Sequence, residues 1–307
     1  MRKKILLTDI ILKSYIPIFK IFFSVDTLWN KKKIIYSDYE ALVVSGVFKI
    51  PQQFYEKLSN LKIISVFGVG FDNVNLNECK KKNIVVANTP GVLTRDVADL
   101  ALTLLLSISR NLFNAQKYVI SKNWEKKGPM QLTDSVYNKK IGIVGLGKIG
   151  KEFAKKVKVF STEICYFGPS KKNINYKYFN NLKKMAKFVD YLVITCPGGP
   201  KTNNLISAEI LKEMKKSAYL INVSRGNVID EEAMLKCLKN KTIKGAALDV
   251  YKNEPKINQK FRKLNNVILH PHHGSGTYET RKLMAELSCN NIQNYFKTGK
   301  PLHKVNL

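Results

Sequence analysis

Arg225, Glu254 and His272 lie far apart in the chain, and together their side chains suit hydride transfer to a 2-oxo acid. A guanidinium can grip a carboxylate through two parallel N–H donors. An imidazole beside a carboxylate is favoured in its protonated form. It can then hand a proton to a developing alkoxide near neutral pH. Upstream stands Gly145-Leu146-Gly147-Lys148-Ile149-Gly150, a G-x-G-x-x-G turn. Such a turn alone is weak, but here it follows an apolar run at 141–144 and opens a helix-like stretch at 151–160. That is the setting in which it holds a dinucleotide pyrophosphate. Gly145 permits the tight turn, Gly147 lets backbone approach the phosphates, and Gly150 allows close helix–strand packing. The N–H groups at the helix start then face the anion.

The end of the next strand selects the cofactor. An NAD site places a carboxylate there, about 20 residues past the turn, on the ribose hydroxyls. This chain reads Tyr166-Phe-Gly-Pro-Ser-Lys-Lys172, with no carboxylate. Ser170, Lys171 and Lys172 are the residues that can hold a 2′-phosphate, because opposite charges attract and an acid would repel it. NADP(H) is therefore favoured and NAD(H) remains open.

Arg225 closes the run Leu220-Ile-Asn-Val-Ser-Arg, and Glu254 lies in Asp249-Val-Tyr-Lys-Asn-Glu-Pro255. Both follow strand-like segments, and open parallel sheets bind ligands at their carboxyl ends. His272 lies in His270-Pro-His-His-Gly, so His270 and His273 compete for the role of proton donor. Three histidines so close on one turn do not converge on an ion without a further ligand, so no metal is expected.

Strand-like and helix-like segments alternate almost throughout, which predicts an α/β protein with parallel sheets. A first series has β-rich runs at 4–8, 41–45, 62–67 and 83–87, with helix-like stretches at 52–60 and 75–82. A second has six strands at 141–144, 163–167, 191–195, 218–222, 243–248 and 267–269, a count that suits a doubly wound sheet. The stretch 96–111 is a helix apolar nearly all round, which predicts burial between domains or subunits. Asp230 reads as a helix cap. The last helix, 278–296, is expected to return to the first region. Two domains follow: residues 1–97 with 279–307, and 98–278, which carries the glycine turn and would bind the dinucleotide.

The 307 residues carry a net charge of +29, which raises the question of nucleic acid. Lysine dominates, with six arginines in all, and it is spread over every segment, including residues 31–33 and 80–82. A nucleic-acid groove concentrates its charge and adds aromatics. The pattern reads as a lysine-coated surface that attracts anionic small molecules at long range. No apolar run reaches the length of a membrane span. The start Met1-Arg-Lys-Lys leads into a strand and not a secretory signal, because Asp9, Lys13 and Lys20 interrupt the apolar stretch. Five cysteines without C-x-x-C spacing fit a reduced, cytoplasmic protein.

These segments resemble the D-isomer-specific 2-hydroxyacid dehydrogenase family over nearly the whole chain. The resemblance rests on Gly68-Val-Gly-Phe-Asp-Asn73, Asn88-Thr-Pro-Gly91, Val97-Ala-Asp99, the Gly145 turn, Cys196-Pro197, Asn222-Val-Ser-Arg-Gly226, Asp249–Pro255 and Pro271-His272. The stretch 271–281, with 166–172, is most similar to the glyoxylate/hydroxypyruvate and hydroxyphenylpyruvate reductase branch, which prefers NADPH. The resemblance implies two Rossmann-like domains, with the cofactor domain inserted into a discontinuous substrate domain, in a homodimer. It implies that Arg225 binds the substrate's carboxylate and carbonyl, that His272 is the acid/base, and that Glu254 orients it. Backbone amides at Val69 and Gly70 would bind the substrate carboxylate, with Ser45 and Ser275 beside the variable end of the substrate. Pro197, Val223, Asp249 and Gly274 would line the cofactor, Asp249 near the nicotinamide carboxamide. Pro169, Gly198-Gly199 and His273 depart from common family residues. A nucleotide-sensing, corepressor-like binding protein on the same fold is one alternative. An NAD-linked dehydrogenase working oxidatively is another.

Overall fold

The computed structural model describes residues 2–30 and 34–306. The lysine run at 31–33 and Met1 lie outside the described residues. The chain forms two compact units, one of residues 1–93 with 275–307 and one of residues 94–274. The sequence reading sets the junctions after 97 and after 278. In the structure, the helix Thr94–Ser109 belongs whole to the second unit, and Thr277, which caps the last helix through the N–H of Thr280, belongs to the first.

The first unit holds strands β1 (Lys4–Leu7), β2 (Ser24–Thr27), β3 (Ala41–Ser45), β4 (Ile63–Phe67) and β5 (Val85–Ala87). They form one parallel sheet in the order β2-β1-β3-β4-β5. β3 and β4 are buried along their whole length, as parallel strands covered on both faces must be. The helix Tyr278–Thr298 packs on β4, where Ser288 and Ser65 share a hydroxyl hydrogen bond of 2.8 Å. Asn291 donates from its side chain to the Asn88 carbonyl at 2.9 Å.

The second unit holds β6 (Lys140–Val144), β7 (Glu163–Phe167), β8 (Lys177–Phe179), β9 (Tyr191–Ile194), β10 (Tyr219–Asn222), β11 (Gly245–Leu248) and β12 (Val267–Leu269). All pair in parallel, in the order β12-β11-β10-β9-β6-β7-β8. The order reverses between β6 and β9, so the switch point lies where those two strands end. Seven strands stand where six were expected, the addition being β8. In the first unit β2 was likewise unforeseen. Both lie at a sheet edge and are partly exposed, so neither needs the apolar run that marks an inner strand.

Thr94–Ser109 buries much of its surface inside the second unit. It packs on β10, β11 and β12 and against the helix Lys148–Val157, all within the second unit. These neighbours account for much of its apolar girth.

Two carboxylates tie the lower ends of this sheet. Asp190 accepts the Lys140 N–H at 2.9 Å and Lys215 Nζ at 2.7 Å. Asp134 accepts the Tyr219 hydroxyl at 2.6 Å and Lys244 Nζ at 2.5 Å. Burial pushes both carboxyls up, but the donated hydrogen bonds and nearby lysine charges outweigh it and leave both below the ordinary value. A carboxyl that binds its proton less readily folded than unfolded adds stability above its unfolded value, near pH 4, and loses it as pH falls through the lower folded value. Asp190→Asn is therefore expected to lower the melting temperature at pH 7, with the gap to wild type narrowing as pH drops below about 4. A gap constant from pH 7 to pH 3 in calorimetric scans would show that the charge of Asp190 contributes nothing.

Candidate active site

The glycine turn sits at the switch point. Gly145 has φ +92, and a Cβ there would lie 2.5 Å from Cys196 Cα at the end of β9. Gly150 is equally confined, since its Cβ would meet the Gly145 carbonyl oxygen at 2.5 Å and Thr195 Oγ1 at 2.8 Å. Thr195 itself donates to the Gly145 carbonyl at 2.7 Å, a latch that sequence reasoning missed because it follows a strand with no motif of its own. Gly147 differs: it is exposed, and among the described residues nothing beyond its own stretch of chain lies within 4 Å of where its Cβ would be. It caps the ten-residue helix Lys148–Val157 without a side-chain bond. Open space over a glycine backbone at an uncapped helix start fits a dinucleotide pyrophosphate. Leu146 and Gly150 are buried, Ile149 is half-buried, and Lys148 is exposed.

At the end of β7, Ser170, Lys171 and Lys172 are exposed, and no carboxylate stands beside them in the chain. The Gly145 N–H donates to the Phe167 carbonyl at 2.9 Å, which joins this strand end to the turn. The Lys172 N–H donates to the Tyr166 hydroxyl at 2.7 Å, and the Tyr178 hydroxyl to the Gly168 carbonyl at 3.1 Å. Two tyrosines thus hold the loop that presents the lysines.

Arg225 follows β10 in extended backbone. Fully buried Asn222 shapes its loop by accepting the Ser224 N–H at 3.0 Å and donating to the Arg225 carbonyl at 2.9 Å. The Ser224 hydroxyl donates to the Cys196 carbonyl, linking this loop to that of half-buried Gly198 and exposed Pro197. Asn222 and Ser224 were visible as part of a motif but carried no assigned role. Arg225 Nη1 donates to the Ser224 carbonyl at 2.8 Å. Val223 is buried.

The next residue, Gly226, lies against the loop of Glu254: a Cβ there would fall 1.9 Å from the Tyr251 carbonyl carbon. Glu254 accepts the Tyr251 N–H at 2.8 Å on one oxygen and meets His272 Nδ1 at 2.5 Å on the other. His272 has φ +50, a left-handed turn position that histidine tolerates better than most side chains. The pair is partly exposed, His272 at 28% and Glu254 at 21%. With Nδ1 engaged, Nε2 is the nitrogen left for a substrate.

Asp249, 2% exposed, holds this turn together. Its main-chain carbonyl accepts the His272 N–H at 2.8 Å. Its carboxylate accepts the N–H groups of His273 at 2.8 Å and Gly274 at 3.0 Å, and meets His270 Nδ1 at 2.5 Å. Tyr251 adds a brace by donating its hydroxyl to the carbonyls of Leu248 and His270, each at 3.0 Å. Burial pushes its phenol well above the ordinary value, aided by the charges of Asp249 and Glu254, so it stays a donor. Tyr251 is a site residue that sequence reasoning missed.

The remaining expected residues lie in the first unit. Ser45, at the end of β3, donates its hydroxyl to Asp9 at 2.5 Å and accepts the Phe48 N–H at 3.2 Å. The Val69 carbonyl accepts Asn88 Nδ2 at 2.8 Å, and Asn73 Nδ2 donates to the Gly46 carbonyl at 2.8 Å. Val69, Gly70 and Ser275 are half-buried. Among the described residues no group of three His, Cys, Asp or Glu could hold a metal ion, and no helix is long and apolar enough to cross a membrane.

Residues 102–274 match the sequence model described as D-isomer specific 2-hydroxyacid dehydrogenase, NAD binding domain. That match spans more than half of the chain. The chain belongs to the D-isomer-specific 2-hydroxyacid dehydrogenase family. It is 42% identical over 248 residues to a hydroxyphenylpyruvate reductase of Plectranthus scutellarioides, covering 80% of this chain and 79% of that one. It is 40% identical over 271 residues to a glyoxylate reductase of Pyrococcus horikoshii, covering 85% and 80%. Among solved structures it resembles an NADPH-dependent glyoxylate/hydroxypyruvate reductase of Sinorhizobium meliloti in complex with NADP and malonate. The TM-score is 0.91 at 32% identity, with 99% and 97% of the two chains covered. Family membership and the glycine turn together make this a protein that uses a nicotinamide cofactor.

The close approach at Gly226 generates a prediction. Gly226→Ala drives a methyl into the Tyr251 backbone and must part the loops of Arg225 and Glu254. It is expected to destabilise the fold by about 1–3 kcal/mol, as overpacking does, and to impair turnover at temperatures where it remains folded. Urea unfolding and assay of the same preparation check both, and wild-type stability with wild-type rate would mean the approach has no consequence.

Proposed function

We propose that the protein reduces a small 2-oxo acid, such as glyoxylate, hydroxypyruvate or an arylpyruvate, to the D-2-hydroxy acid, with NADP(H) preferred over NAD(H). The observation that carries the reading is the His272–Glu254 pair at 2.5 Å, set in the loop layer that Gly226 joins to Arg225. A bound reduced nicotinamide supplies the hydride to the substrate's carbonyl carbon. Arg225 binds the carboxylate and carbonyl and orients that carbon. His272 delivers the proton from Nε2 to the carbonyl oxygen, and Glu254, on Nδ1, fixes the ring and favours its charged form. The names of the relatives, reductases of hydroxyphenylpyruvate, glyoxylate and hydroxypyruvate, support the substrate class.

Val69, Gly70, Ser45 and Ser275 are the proposed substrate contacts outside the triad. Pro197, Val223, Asp249 and Gly274 are the proposed cofactor contacts beside the glycine turn. The residues 1–93 with 275–307 act as the substrate domain and 94–274 as the cofactor domain. Exposed Ser170, Lys171 and Lys172 support the choice of NADP(H). Pairing of two copies is supported by the helix Leu112–Ile120, which buries no residue and exposes Leu112, Phe113, Val119 and Ile120. Five free cysteines, four of them buried, suit a reducing cytoplasm.

His272→Ala is expected to lower kcat about 10²–10⁴-fold, the usual worth of a general acid, with cofactor affinity little changed. An unimpaired variant in steady-state assays sinks the assignment. The double change Lys171→Asp with Lys172→Asp is expected to weaken NADPH by roughly tenfold or more relative to NADH, since each acid repels a 2′-phosphate. An unchanged ratio of kcat/KM for the two cofactors would remove these lysines from the cofactor site.

A further inference from the structure

Two histidine–carboxylate pairs share the turn after β12, and both have Nδ1 on a carboxylate oxygen at 2.5 Å. Their carboxylates differ. Glu254 is 21% exposed, and its other oxygen takes the Tyr251 N–H. Asp249 is 2% exposed, and each of its oxygens accepts from the turn itself, from the N–H groups of His273 and Gly274. A carboxylate buried so deeply depends on each of its donors. Those donors flank His272 in sequence, and the Asp249 carbonyl takes the His272 N–H as well. The carbonyl of His270 accepts from Tyr251, whose N–H meets Glu254. The hydrogen bonds therefore close a ring through His270, Asp249, the His272 turn, Glu254 and Tyr251.

We infer that His270 is a positioning residue for His272: its Nδ1–H holds the Asp249 carboxylate, which holds the amides that set the proton donor in its left-handed turn. The inference rests on the proposed role of His272. It assigns His270, the first histidine of the motif, a task distinct from proton transfer. The bond is geometric in purpose, so a side chain that offers an N–H at the same place suffices even if it cannot carry a proton. Asparagine is such a side chain, because its Nδ2 is attached to Cγ as Nδ1 is in histidine. Leucine fills similar space and donates nothing.

The test compares His270→Leu and His270→Asn with wild type, by kinetics and by proton NMR of the His272 Nδ1–H in its bond to Glu254. That resonance is assigned by its loss in His272→Asn. His270→Leu is expected to lower kcat by roughly 10–100-fold, the scale of a misplaced catalytic group, with substrate KM changed far less. Its Nδ1–H signal is expected to shift or to be lost to exchange. His270→Asn is expected to recover most of the rate and the signal. Two results overturn the inference: a His270→Leu enzyme with wild-type kcat and signal, or a His270→Asn enzyme as impaired as His270→Leu while the His272 signal stays intact in both. The second would make His270 the proton donor. A wild-type protein that turns over no 2-oxo acid would refute the proposed function instead, and the NMR comparison would still decide whether His270 positions the His272 turn.

Discussion

A carboxylate at the end of β11 with almost no access to water has to be surrounded by donors, and the chain places them around His272, the proposed proton donor. Asp249 takes two amides and an imidazole from the turn after β12, and its carbonyl takes a third amide. The turn can hold His272 at positive φ because these bonds over-determine it. Glu254 sits five residues beyond Asp249, in a loop braced by Tyr251, so one strand end supplies both the anchor of the turn and the partner of its histidine. Arg225 enters the same layer through the neighbouring strand, with Gly226 allowing the two loops to touch. Strand order does the rest, because parallel strands bring all their carboxyl ends to one edge.

The glycine turn obeys a different constraint. Gly145 and Gly150 have no room for a side chain, whereas Gly147 has room and lacks one. The first two allow β6, β9 and the following helix to approach. The third leaves backbone open at a helix start, where an anion is stabilised. The lysines after β7 extend that positive field. Elsewhere the excess of base over acid leaves most lysines in solvent, and several of the 23 acids serve as fixed points, as Glu40 does between Lys3 and Lys62. Such exposed pairs contribute little individually.

Much of this was legible in the sequence, and the reasons are physical. β3, β4, β6, β9 and β10 show as apolar runs because they are buried on both faces. Asp230 shows as a cap, accepting the Ala233 N–H at 3.1 Å. Arg225, Glu254 and His272 are candidates in the sequence because each follows a strand-like run, and each does follow a strand in the structure. The edge strands β2 and β8 were hidden by partial exposure. The helix Thr94–Ser109 was recognised, but its partners were not, since an apolar girth does not say which surface covers it. The Asp249–His270 bond was also hidden, because three neighbouring histidines look alike until the turn assigns each a direction. Thr195, Asn222 and Tyr251 act through local hydrogen bonds that no periodicity records.

On this reading these loops reduce a 2-oxo acid at the expense of a nicotinamide. The most direct measurement is the loss of nicotinamide absorbance by purified protein, with NADPH and NADH in parallel against glyoxylate, hydroxypyruvate and 4-hydroxyphenylpyruvate. Turnover with at least one of the three, faster with NADPH, is the expected result. Cofactor binding without turnover of any 2-oxo acid would contradict it and would point to a protein that senses the nucleotide without using it.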